Sequence, residues 1–255
     1  MNPDFDAVLL SRIEDAGLNA SAPPEQRWMD GWLVRFSPGK AKRARCINAV
    51  ARSVTAASDK LALCAALYQQ ADLPFIVRLT PFSQPADLDI QLAAAGMTKI
   101  DDTRVMVCRS LVSIVPPTLP DGIHIQRIDL LRFAQIVGEF RGSPESQRAA
   151  QAKRLAESPV PFAAFVVQNV HGEALACGQI ATESEFVGLY DIFTASAYRS
   201  RGLSKMLCKH MLTSALGMGV TVAYLQVESD NHAARHLYRG LGFIDAYAYH
   251  YRQAG

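Results

Sequence analysis

The chain has 255 residues, 49% hydrophobic and 20% charged, with a formal net charge of +2. That composition supports a packed core and excludes a largely disordered chain. The near-neutral balance leaves no electrostatic footprint for a nucleic-acid partner, and the densest basic cluster (Lys40, Lys42, Arg43, Arg45) reads as a solvated turn.

In chain order, residues 1–17 carry acidic side chains and lack an apolar run of signal-peptide length. No later stretch of about 18 apolar residues predicts a membrane span. Residues 31–36 and 45–50 read as strands, 58–70 as a helix, 74–80 as a strand, 87–95 as a helix and 99–109 as a strand. Residues 112–122 (VSIVPPTLPDG) hold three prolines and a glycine, which suit neither a helix nor a central strand, and mark a seam.

Beyond the seam, residues 124–127 read as a strand and 130–141 as a helix. A more polar helix at 144–157 follows, with Ser143 as its N-cap and Pro144 at its first position. Residues 162–168 and 174–182 flank His171-Gly172 as an antiparallel hairpin, and 186–194 is the next strand. A helix opens after Gly202, with Leu203, Met206, Leu207, His210 and Met211 at helical spacing. A strand at 221–228, a helix at 232–241 and a strand at 244–252 close the chain. The order predicts an α/β protein with a mixed, mostly antiparallel sheet and helices on both faces. One internal echo links LDIQLAAAGM, ending at Met97, to ARHLYRGLGF, ending at Phe243, and sets Leu92 opposite Tyr238.

Five scattered cysteines (Cys46, Cys64, Cys108, Cys177, Cys208) lack metal or redox spacing and read as small buried hydrophobes, which fits a reducing cytoplasm. His232 and His236 are four apart on a predicted helix but have no third ligand, so no metal is expected.

The stretch from Tyr198 to Phe243 carries the most chemistry. Arg199, Ser200, Arg201, Gly202, Leu203, Ser204 and Lys205 lie between a strand and a helix. Unpaired N–H groups at a helix start, a glycine and flanking cations suit a phosphate. An ordinary strand-to-helix turn with surface basic residues has the same composition. Tyr238 shares an apolar stripe with Ala234, Leu237 and Leu241, and by pattern alone reads as a core residue.

Taken together, these motifs resemble the GNAT superfamily of acyl-CoA-dependent N-acyltransferases. Arg199 and Gly202 match its Arg/Gln-x-x-Gly-x-Gly/Ala loop, with Ser204 at the last small position. Asn231, Ala234, Leu237-Tyr238 and Gly242-Phe243 match its second signature, in the right order. The resemblance spans residues 122–255. The first half resembles the degenerate partner of tandem GNAT proteins. The implied organisation is a degenerate GNAT-like domain at 1–111, a linker at 112–122 and a catalytic domain at 123–255.

The resemblance implies acetyl transfer from acetyl-CoA, as co-substrate, to a primary amine by direct attack on the thioester. The turn at 199–205 would hold the pyrophosphate. The main chain of Ile192, Phe193 and Thr194 would pair with the pantetheine arm, and Asn231 would belong to the same site. Tyr238 would steady the leaving thiolate. An ammonium must also lose a proton, and Glu228, Glu183, Glu185 and Asp191 are candidate bases, with Glu228 ranked first. Strand alternation sets Tyr190 and Asp191 on opposite faces. The acceptor is expected to be a small-molecule or peptide amine, with no nucleic-acid or membrane partner. The other reading is a non-catalytic acyl-CoA-binding regulatory protein. The sequence does not specify an oligomeric state.

Overall fold

The computed structural model describes residues 1–39 and 41–255, so Lys40 of the basic cluster lies outside the described residues. The first half runs α1 (Ala7–Ala20), β1 (Glu25–Met29), β2 (Trp32–Phe36), β3 (Ile47–Ala49), α2 (Ala57–Gln70), β4 (Ile76–Leu79), α3 (Leu88–Ala94) and β5 (Thr98–Cys108). The second runs β6 (Ile123–Ile128), α4 (Leu130–Phe140), α5 (Glu145–Ala156), β7 (Phe162–Asn169), β8 (Ala174–Glu183) and β9 (Phe186–Thr194). It continues with α6 (Leu203–Leu216), β10 (Val222–Glu228), α7 (His232–Arg239) and β11 (Ile244–Gln253).

All eleven strands form one sheet in the order β1-β2-β3-β4-β11-β5-β10-β9-β8-β7-β6. The described pairings are antiparallel except β3–β4 and β9–β10. The halves exchange their last strands: β5 lies between β10 and β11, and β11 lies between β4 and β5. The echo in the sequence is real in the backbone. The N–H of Met97 donates to Leu92 O and that of Phe243 to Tyr238 O, both at 3.1 Å. Gly96 and Gly242 follow the two helices with φ of 79° and 88°, a left-handed conformation that glycine adopts without strain.

Helices cover both faces. On one face α6 and α7 pack over Leu189, Leu225 and Met106, and α2 and α3 over Val34, Ile47 and Val77. On the other, Leu10, Ile13 and Ala16 of α1 meet Phe186, Tyr224 and Tyr247. There α4 and α5 bring Phe133, Val137 and Leu155 onto Ala164, Val166 and Cys177. No described helix is long and apolar enough to cross a membrane.

Two elements were not anticipated. Helix α1 is capped by Asp6, whose Oδ1 accepts from the Val8 N–H at 2.8 Å. Strand β1 is a mostly exposed edge strand without alternation to betray it. Ser143 is not the cap of α5. Pro144 holds that position without a side-chain bond, and the Ser143 carbonyl accepts from Arg148 Nε at 2.9 Å.

A buried ion pair pins α1 to the sheet. Both guanidinium arms of Arg78 on β4 donate to Glu14, and the Tyr247 hydroxyl of β11 donates to it at 2.7 Å. Arg78 is 1% exposed. Burial pushes the Glu14 carboxyl up, but the Arg78 charge, with the hydrogen bonds from Arg78 and Tyr247, outweighs it and leaves the pKa below the ordinary glutamate value. A depressed carboxylate pKa stabilises the fold above the unfolded value, and that contribution disappears as pH falls through the folded value. Glu14→Gln should therefore cost about 3–5 kcal/mol at neutral pH in urea melts, because it strands the Arg78 charge. Its stability should also fall less steeply than wild type below the glutamate range; equal midpoints at pH 7 would refute the pair's role. A chain of residues 112–255 alone lacks β5, the neighbour of both β10 and β11. It should give no cooperative thermal transition, and a sharp one would show that the exchange is dispensable.

Candidate functional site

The parallel strands β9 and β10 pair only from Phe186–Val222 to Leu189–Leu225. Beyond that point β9 continues to Thr194 and β10 to Glu228 without a ladder between them. This divergence leaves one edge of Ile192, Phe193 and Thr194 without a partner strand, while β8 still pairs with the other.

A bulge occurs at the same place. Gln179 opposes Tyr190 and Cys177 opposes Phe193, so Gly178 faces both Asp191 and Ile192. Asp191 has φ of 51°. Its carboxylate accepts from Arg141 Nη2 at 2.7 Å, Gln179 Nε2 at 2.8 Å and Gln151 Nε2 at 3.1 Å. Burial raises its pKa, and Arg141, followed by Arg154 and Gln179, brings it below the usual value. The extra residue overturns the expected alternation. Tyr190 and Asp191 both face Arg154 of α5, whose charge each of them influences, while the Ile192 side chain packs with the α6–α7 core.

After β9 a short 3-10 turn (Ser196–Tyr198) leads to Ser200 with φ of 62° and Gly202 with φ of 77°. Gly202 precedes α6, and nothing lies within 4 Å of where its Cβ would stand. Its glycine is thus required by backbone conformation rather than by crowding. Among the described residues, none of the N–H groups of residues 200–205 donates a hydrogen bond. Ser204, the departure from Gly or Ala, bonds its Oγ to Thr194 Oγ1 at 2.6 Å and so ties the turn to the end of β9.

These elements enclose a cleft of about 410 Å³. Ile192, Phe193, Thr194, Arg199, Ser200, Gly202, Leu203, Ser204 and Lys205 line one side, and Tyr238 lines the other. Tyr198, Ala233, Ala234 and Leu237 also line it and were not among the expected site residues; the last two were read as part of the apolar stripe and of the second signature. Arg201 does not line it, and turns back to Ala197 O at 3.2 Å. Asn231 does not either, because its Oδ1 caps α7 by accepting from the Ala234 N–H at 3.1 Å.

Tyr238 is 9% exposed and packs on Phe243, with ring centroids 6.0 Å apart. Among the described residues its hydroxyl makes no hydrogen bond, and burial, with Cys208 adding a little, pushes its pKa well above the usual tyrosine value.

Of the candidate bases, Glu185 is ion-paired with Arg12 and Glu183 accepts from Asn19 Nδ2 at 2.9 Å. Asp191 is held as above. Glu228 makes no ion pair among the described residues, and lines a cavity of about 250 Å³ with Thr103, Gln226, Tyr249 and Tyr251. A third cavity, of about 310 Å³, adjoins Asp191 and runs between α5 and residues 37–39, Ala41 and Ala44 of the first half. Among the described residues no group of three or more His, Cys, Asp or Glu is placed to hold a metal.

The family model described as "Probable histone acetyltransferase Rv0428c C-terminal" matches residues 10–252. Among curated proteins, the chain is 28% identical over 239 residues to the Uncharacterized N-acetyltransferase YobR of Bacillus subtilis (strain 168), covering 89% of this chain and 91% of that protein. Among solved structures it is similar to a GCN5-related N-acetyltransferase from Kribbella flavida, with a TM-score of 0.72, 16% identity and 96% of each chain covered. It is also similar to a tandem GNAT protein from the clavulanic acid biosynthesis pathway, with a TM-score of 0.63, 14% identity and coverage of 78% of this chain and 70% of that one. The fold is thus the GNAT fold in tandem form, and the family match spans nearly the whole sequence. The chain belongs to the family of the Rv0428c C-terminal region and is an acyltransferase of the GNAT type.

Proposed function

We propose that the enzyme transfers an acetyl group from acetyl-CoA to a primary amine by direct attack of the amine on the thioester. The observation that carries this reading is the set of undonated N–H groups at residues 200–205, all but Arg201 of which line the same cleft as Tyr238, whose hydroxyl is unengaged among the described residues. Acetyl-CoA would supply an activated acyl group on sulfur and a diphosphate handle.

Each task has a residue. The left-handed turn at Ser200 and Gly202 and the start of α6 point backbone donors at one spot, where a diphosphate would complete them. Arg199 and Lys205 add positive charge at the rim. The free edge of Ile192–Thr194 offers main-chain donors and acceptors to an amide-bearing arm, and one N–H to a carbonyl oxygen gaining charge. Asn231 acts indirectly, since its cap fixes the start of α7 and so the position of Tyr238.

The C–N bond forms as the C–S bond breaks, the departing sulfur gains negative charge, and the nitrogen sheds a proton. Reference pKa values of about 10 for tyrosine and about 8.5 for a thiol make complete proton transfer from Tyr238 uphill by about 2 kcal/mol. Its burial widens that gap. Tyr238 therefore contributes a hydrogen bond that tightens on the sulfur. Glu228 is the proposed proton acceptor, because among the described residues it is the candidate carboxylate with neither an ion pair nor a side-chain hydrogen bond, and it lines an open cavity. Five buried, unpaired cysteines support a reducing compartment, and we place the enzyme in the cytoplasm.

Calorimetric titration with coenzyme A tests the cleft: micromolar-range binding is expected, and no heat or thermal upshift at millimolar ligand would refute the reading. Tyr238→Phe should retain that binding yet lower single-turnover acetyl transfer by about 10²- to 10⁴-fold. An unchanged rate in a chemistry-limited assay would remove Tyr238 from the mechanism. Binding without thioester consumption by any amine would favour a regulatory acyl-CoA binder instead.

A further inference from the structure

The face of the sheet opposite the cleft holds half-buried positive charge that no ion pair among the described residues matches. Asp191 is already neutralised by Arg141, Glu14 by Arg78 and Asp101 by Lys42. Two arginines lining the adjoining cavities have no such partner. Arg154 makes a single hydrogen bond, from Nη1 to Ala20 O at 3.3 Å, and has no ion pair among the described residues. Among the described residues the Arg43 side chain donates only to the Tyr249 hydroxyl, at 3.2 Å, and its buried Nε has no partner. A guanidinium carries five donors, so most of the hydrogen-bonding capacity of both is unspent.

The two belong to one region. Their cavities meet at Ala41. The Arg43 guanidinium lies 6.0 Å from the Tyr190 ring centre, that ring 6.1 Å from Phe162, and the Arg154 guanidinium 6.0 Å from Phe162. Burial lowers the Arg154 pKa; the Asp191 charge, already shared with Arg141, offsets only part of that, and the nearby Arg43 works against it. Arg35, by contrast, spends its donors on Gln26, Ser21 and Leu18 O, so a structural arginine here looks different. Burying unpaired cations opposes folding. Such an arrangement makes sense where a ligand brings the counter-charge.

This region adjoins the proposed thioester position. Asp191 lines one cavity and the next residue, Ile192, lines the cleft on the other face. Glu228, among the described residues the one carboxylate lining either cavity without an ion pair, shares its cavity with Arg43. We propose that the acceptor is a small amine bearing an anionic group, a carboxylate or a phosphate, that Arg154 and Arg43 bind while its amino group faces Glu228. This rests on the acetyltransferase reading above and narrows its acceptor. It also disfavours a lysine-rich peptide, whose cations would meet uncompensated arginines.

The test uses the full chain, with matched probes: leucine against leucinamide, phosphoethanolamine against ethanolamine, and spermidine. Binding is followed by calorimetry with coenzyme A present, and acetyl transfer by thiol release. The acidic member of one pair should be preferred by about 10- to 100-fold, the range expected for hydrogen bonds to a charged group; which pair responds separates carboxylate from phosphate. Arg154→Gln and Arg43→Gln should each erode the preference about tenfold through KM, with coenzyme A affinity unchanged. Arg154→Lys, which keeps the charge, should retain part of it. Preference for neutral or cationic amines, or an acid preference that survives both Gln variants, overturns the proposal. Acid binding without coenzyme A binding would sink the acetyltransferase reading alone. Coenzyme A binding with no acid binding would sink this inference alone.

Discussion

Strand β11 has no partner in its own half: both of its neighbours, β4 and β5, come from the first half. The second edge of β10 depends on β5 in the same way. A central strand without its ladder leaves a row of buried N–H and C=O groups unsatisfied, which no fold of this size tolerates. Reciprocal exchange therefore fuses the halves into one sheet. It also fixes what meets at the seam: α1 lies over the base of β9, and residues 37–39 with Ala41 and Ala44 come to face α5. The cavity between the halves follows from this topology rather than from any local motif.

The first half shows what the same plan becomes without the chemistry. Its counterpart of the diverging pair is β3–β4, joined through α2, which lies on the same face as α6. Just ahead of α2, the backbone N–H groups of Val54 and Thr55 donate to the Asp30 carboxylate at 3.0 and 2.7 Å. An internal carboxylate stands where the second half leaves donors open. Lys60 packs its ammonium 4.0 Å from the Trp32 ring centre and donates to Asp30 O, which closes the space further. At the position of Tyr238 the first half has Leu92, fully buried and without a proton to offer. One half has thus become a wall for the other.

Local signals carried most of what the sequence revealed. The turn at 199–205, the stripe of α7 and the strand at 186–194 are each set by residues within a few positions of one another, and they appear as read. The bulge was invisible because alternation assumes one residue per register step. Asp191 breaks that rule only because Arg141, Gln151 and Gln179, scattered over fifty positions, hold its carboxylate. Arg43 and Arg154 were unreadable for a related reason. In the chain they are ordinary basic residues, one of them in a cluster read as a solvated turn, and only the exchange of strands buries them. Ser204 ran the other way: it looked like a departure from the loop pattern, yet its bond to Thr194 makes the side chain part of the turn.

The bulge also explains how the two proposed ligand sites would share one strand. Gly178 has room for two opposing residues because a Cβ there would come within 2.6 Å of Ile192 Cδ1. With Tyr190 and Asp191 on one face and Ile192 on the other, β9 becomes a partition whose two sides meet at consecutive residues. In the proposed complex an anionic donor approaches from one side and an anionic acceptor from the other, with the acyl carbon between them. Like charges converging on a site of low dielectric repel strongly unless each has local compensation. The turn before α6 supplies it on one face and the two arginines on the other. The amino group would then reach the partition on the side of Glu228, a carboxylate without an ion pair among the described residues, which favours the orientation that presents nitrogen rather than the acid to the thioester.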